Sequence, residues 1–123
     1  MDNDKLTHDV IACAIEVHKT LGPGLLESAY EQCLLFELNQ QGIRALSQVQ
    51  LPVLYKGIEI EAGYRLDIII PNKLIIELKA VDKVMPIHHA QTLTYMKLAH
   101  INKALLINFN VTRLVDGIKR FVL

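Results

Sequence analysis

Tyr64-Arg65-Leu66-Asp67-Ile68-Ile69-Ile70-Pro71-Asn72-Lys73-Leu74-Ile75-Ile76-Glu77-Leu78-Lys79 reads as two strand-like runs around a short turn. In the first run Tyr64, Leu66, Ile68 and Ile70 are apolar, and a side-chain period of two predicts that they share a face, with Asp67 opposite beside Arg65 and Ile69. In the second run Leu74, Ile76 and Leu78 face one way, and Ile75, Glu77 and Lys79 the other. A three-residue loop, Pro71-Asn72-Lys73, pairs Ile70 with Leu74 and carries the register down to Asp67 opposite Glu77. A two-residue loop would slip that register and part the carboxylates. With three, the acids lie roughly 5 Å apart across the strands, and Lys79 follows roughly 6 to 7 Å further along the same face.

Two carboxylates at that spacing repel unless a cation lies between them. Hard oxygen donors select magnesium or manganese, which lowers the pKa of bound water and stabilises charge on a phosphoryl oxygen; a nearby ammonium orients the water or offsets the developing charge. The alternative for the same residues is a solvated face on which Lys79 pairs with Asp67 or Glu77, worth about 0 to 1 kcal/mol.

The surrounding chain sets the frame. Its 123 residues suffice for one domain, 1–123, with a core and no second unit. Apolar residues make up 51% and charged ones 21%, which excludes a disordered tail. Thirteen basic and thirteen acidic side chains cancel, so bulk charge would not grip a polyanion and any such site must be local. The start, Met1-Asp2-Asn3-Asp4-Lys5, is polar, and no apolar run reaches membrane-spanning length, so cytoplasmic residence without membrane attachment is the expectation. Cys13 and Cys33 lack C-x-x-C spacing and read as small buried hydrophobes in a reducing compartment. His88 and His89 would point about 100° apart on a helix, poor geometry for one ion, and read as rim residues.

Helical spacing recurs from Thr7 to Leu21, with Thr7 as expected N-cap and Gly22 as stop, and again from Leu25 to Gln41 before Gly42. From Gln48 to Tyr55 the period becomes two; after a Lys56-Gly57 turn, Ile58 to Ile70 keeps alternating, with Gly63 as a bulge. Three antiparallel strands are expected from Gln48 onward. Pro86 suits the first turn of a helix running to about Ala99. The continuous apolar run Ala104 to Phe109 predicts a strand buried on both faces. Asp116-Gly117 signals a hairpin that makes Ile118 to Leu123 a last strand. The order predicts an α/β fold built on a mixed sheet.

Two further groups of residues share faces. Gly24-x-x-Glu27-x-x-Tyr30 opens the second helix, where an acid also suits the helix dipole and Tyr30 alone reads as core. Gln91 and Tyr95, four apart on the third helix, follow the Lys79 strand after a short connection.

Together, Glu27, Asp67, Glu77-Leu78-Lys79 and Gln91-x-x-x-Tyr95 resemble the ordered motifs of the PD-(D/E)XK nuclease superfamily, and Gly24 to Tyr30 resembles its GxxExxY family. The likeness covers nearly the whole chain. It implies a restriction-endonuclease-like αβββαβ core, a mixed sheet flanked by helices. It further implies that Asp67, Glu77 and the Leu78 carbonyl hold Mg2+ or Mn2+, with Glu27 as an added ligand or a contact to metal-bound water, and that Lys79 orients or activates the attacking water. Tyr30, Gln91 and Tyr95 would position substrate or brace the site. Leu66 stands where the superfamily name has proline, which leaves the metal donors intact.

The expected function is thus a metal-dependent nuclease acting on nucleic acid, DNA ahead of RNA. A homodimer through the apolar C-terminal strand, or a partner protein that supplies substrate recognition, is compatible with it. The zero net charge motivates the competing expectation, a non-catalytic nucleic-acid-binding or protein-interaction module that keeps the fold.

Overall fold

The structure, a computed structural model, describes residues 4–123; the start read at Met1, Asp2 and Asn3 lies outside them. Helix α1 spans Lys5–Leu21 and α2 spans Glu27–Gln40. Thr7 is not the cap expected of it: the helix starts earlier, Asp4 takes the cap position, and Thr7 is buried within the first turns. Gly22 ends α1 at φ 73°, a left-handed conformation that side chains resist. The turn to α2 is tied down by Tyr30. Its hydroxyl donates to the Gly22 carbonyl at 2.6 Å and accepts from the Leu25 N–H at 3.1 Å, and its ring stacks on Phe109 with centroids 4.5 Å apart.

Seven strands follow: β1 Leu46–Gln50, β2 Val53–Tyr55, β3 Ile58–Ile60, β4 Arg65–Ile70, β5 Leu74–Lys79, β6 Lys103–Asn108 and β7 Ile118–Val122, with α3, Pro86–Ala99, between β5 and β6. The two long alternating runs are each broken in two, so with β5 five strands stand where three were expected. Pro52 has no N–H to extend a ladder, and Gly63 turns the chain at φ 81°; between them β2 and β3 form a separate two-stranded ribbon. The remaining strands make one mixed sheet in the order β1-β4-β5-β6-β7. Only β5 and β6 pair in parallel, and α3 supplies the crossover that parallel pairing demands. Both are buried on both faces, which is why their sequences are almost continuously apolar. On one side Val10, Val17, Tyr30, Leu34 and Leu38 of the helix pair pack against Ile68, Ile76, Leu78 and Ile107. On the other, Tyr95 and Met96 of α3 pack against Leu66, Ile75 and Leu106. The element order α2-β1-β4-β5-α3-β6 is the expected αβββαβ core.

The reversal after Ile70 has the three residues that the register requires. Lys73 N–H donates to the Ile70 carbonyl at 2.9 Å, Asn72 takes φ 65°, and Ile70 pairs with Leu74. Pro71 before a left-handed Asn72 is the pattern of a type II turn. At the other end of the sheet, Asp116 and Gly117 belong to a 3-10 turn, Leu114–Gly117, rather than to a two-residue hairpin. Gly117 lies against the Asn108 main-chain carbonyl, where a Cβ would collide. The buried Asn108 amide in turn bonds the N–H and carbonyl of Val81, at 3.1 and 2.9 Å, just beyond Lys79.

Removing the Tyr30 hydroxyl frees two main-chain groups at the α1–α2 turn. The variant Tyr30→Phe is expected to lose about 1 kcal/mol of stability, measured by urea unfolding with an unchanged slope.

Candidate active site

The β4–β5 ladder runs through Ile70↔Leu74, Ile69↔Ile75 and Ile68↔Ile76, so the next position sets Asp67 opposite Glu77. There main-chain bonding gives way to side chains. Asp67 N–H donates to Glu77 Oε2 at 3.1 Å, and Leu78 N–H donates to Asp67 Oδ2 at 2.8 Å. Each carboxylate thus satisfies a main-chain donor of the opposite strand. The strict alternation expected of β4 fails here: Ile68 and Ile70 pack with the helix pair, whereas Leu66 packs on the α3 side. Giving the Asp67 N–H to a carboxylate instead of a ladder carbonyl accompanies this change of face.

Around the pair, the structure separates the expected site residues. Lys79 lies two residues beyond Glu77, and its charge stabilises both carboxylates. Glu27, the first residue of α2, is exposed; it is near enough to disfavour the charge on Glu77 but stands outside the pair. Among the described residues, no three His, Cys, Asp or Glu side chains converge tightly enough to enclose an ion by themselves. Tyr95 is buried beside Tyr64, ring centroids 6.1 Å apart, and its phenol is pushed up by burial and then by the charges of Glu77, Tyr64 and Asp67. Gln91 is half-buried one turn earlier on α3. Tyr30 is fully buried with its hydroxyl engaged at Gly22, so it cannot touch substrate; its part is to hold the start of α2. His88 closes the first turn of α3 by accepting from the Met85 N–H at 3.0 Å, and His89 packs edge-on to Phe121.

Two residues were missed. Glu31 is buried one turn after Glu27 and accepts from Gln48 Nε2 at 2.8 Å. Its position on the stripe with Leu34 and Leu38 was the available signal, since a charge on a buried face demands a partner. Gln48 fell among the polar positions of its strand and gave no such signal.

The donor set suits a hard divalent ion. It offers oxygen donors only, two acids share one end of the hairpin, and the Leu78 carbonyl leaves β5 on the same edge as its N–H, toward β4. Burial, and then the charge of Asp67, push the Glu77 carboxyl from 4.5 up to about 8, with Lys79 pulling the other way. Burial also raises Asp67 and Glu31. A folded-state pKa above the unfolded one means that the folded chain holds the extra proton between those values. The associated stability is therefore full below about pH 4.5 and is lost as pH rises through about 8. In EDTA the melting temperature is expected to fall between pH 6 and 8.5, and Glu77→Gln to flatten that slope, as read by circular dichroism.

No helix among the described residues is long and apolar enough to cross a membrane, and Cys13 and Cys33 are free thiols. No curated protein and no solved structure matches the chain. A family model described as the PD-(D/E)XK nuclease superfamily matches residues 4–121, almost the full length. With an αβββαβ core that brings Asp67, Glu77 and Lys79 to one end of the β4–β5 hairpin, the chain belongs to the PD-(D/E)XK nuclease superfamily.

Proposed function

We propose that the protein is a Mg2+- or Mn2+-dependent nuclease of the GxxExxY type that hydrolyses phosphodiester bonds, with DNA placed ahead of RNA on resemblance alone. The observation that carries this reading is the Asp67–Glu77 pair: a half-buried and a buried carboxylate cross-bonded to main-chain N–H groups, the buried one driven to about 8 by burial and by its neighbour's charge. Such a pair is stabilised by a doubly charged ion more than by anything else in its surroundings.

Asp67, Glu77 and the Leu78 carbonyl are the residues that would hold the ion, with Glu27 reaching it from the start of α2. When bound, the ion supplies Lewis acidity toward a phosphoryl oxygen and lowers the pKa of water. Lys79 orients the attacking water and offsets negative charge as the phosphorus centre becomes crowded. Tyr95, backed by Tyr64, walls the site on the α3 side, and Gln91 meets the substrate from the same helix. The free thiols suit a reducing cytoplasm. A partner protein or a second copy that adds substrate grip would answer the neutral net charge.

The assay is cleavage of single- and double-stranded DNA and RNA with Mg2+ or Mn2+. Asp67→Asn and Lys79→Ala are each expected to lower the rate by at least about 100-fold. Asp67→Asn retains an acceptor for Leu78 N–H and removes the repulsion with Glu77, so it is also expected to raise the melting temperature in EDTA. Equal cleavage by wild type and both variants would sink the nuclease assignment. Absence of divalent binding in wild type would favour a non-catalytic binding module, the reading that the neutral net charge motivates.

A further inference from the structure

Strand β1 carries an irregularity beside the one in β4. Ser47 pairs with Ile68 and Val49 with Leu66, which sets Gln48 directly opposite Asp67. At that residue the backbone turns to φ 53°, a left-handed conformation that glycine or asparagine adopts more readily than glutamine. Gln48 is exposed on an edge strand, yet its amide reaches inward: Nε2 donates to Oε1 of the buried Glu31 at 2.8 Å. The same side chain stabilises the charge on Asp67. A primary amide has two N–H groups, enough to serve one carboxylate with each. Turned the other way, it would aim its oxygen at two acids, so the acids themselves fix its orientation.

Resting on the metal-site reading above, we propose that Gln48 is a positioning residue that holds the Asp67 carboxylate in its cation-binding orientation and ties it to Glu31 on α2. A glutamine in a strained backbone conformation opposite the key acid has a function that its exposed location alone does not explain. Without the amide, Asp67 keeps the Leu78 N–H on Oδ2 and the charge of Lys79 but loses its neighbour across from it on β1. Glu31 acts at one remove, as the fixed end on which the amide is anchored. Its burial between α2 and the sheet makes that end rigid.

The test is calorimetric titration of the full chain with MnCl2, paired with melting temperatures in EDTA. Glycine is at ease at φ 53°, so Gln48→Gly removes the amide without straining the strand. It is expected to bind Mn2+ about 10- to 100-fold more weakly than wild type while staying folded at the titration temperature, its melting point lowered only by the partner that Glu31 loses. Gln48→Asn, also tolerant of this backbone but too short to bridge both acids, is expected to do the same. Glu31→Leu extends the apolar stripe of α2 and is expected to weaken Mn2+ binding. The double variant Glu31→Leu/Gln48→Gly is expected to be no weaker than Gln48→Gly alone, the non-additivity of two residues acting through one contact. Wild-type affinity within twofold in Gln48→Gly and Gln48→Asn, or losses that simply add in the double variant, would overturn this inference while the metal site stands. If wild type itself takes up no Mn2+, the metal-site reading falls and takes this inference with it.

Discussion

Where the β4–β5 ladder ends, two carboxylates replace main-chain carbonyls as acceptors: Glu77 for the Asp67 N–H and Asp67 for the Leu78 N–H. This exchange ties one oxygen of each acid to the opposite strand's backbone. It also confines like charges in a buried corner, at a cost that shows in the raised Glu77. The rest of the fold serves that corner. β6 and α3 bury β5 from one edge and one face, α2 closes the other face, and Asn108 docks the segment that follows Lys79. Burial and like charge therefore work against the ionised pair there, and Lys79 offsets part of that cost.

Much of this was legible in the amino-acid order. The loop of three, Pro71-Asn72-Lys73, set Asp67 opposite Glu77, because the turn length decides the register of the two strands. The doubly buried β6 and the Pro86 start of α3 were equally plain. What escaped depended on long-range contact. Glu31 and Gln48 are 17 positions apart and meet only after α2 docks on the sheet. The exit of the chain into the β2–β3 ribbon at Pro52, and the change of face at Asp67, are departures from periodicity, which a periodic reading smooths over.

The helix acids also show how position decides meaning. Glu27 and Glu31 are one turn apart on α2, but the first is exposed at the helix start and the second is buried against the sheet. The motif that drew notice to Glu27 owes its tyrosine to architecture: Tyr30 clamps the Gly22 turn and stacks on Phe109, so that part of the motif builds the helix that carries the acids.

Gly117 shows how far such support extends. It touches none of the acids, yet it lies on the carbonyl of Asn108, whose side chain fastens Val81 two residues past Lys79. A side chain at 117 would push on that relay from the far margin of the sheet, and the ammonium would drift before the domain came apart. Heat-sensitive loss of function with every polar group of the site intact is the phenotype that such a lesion would wear.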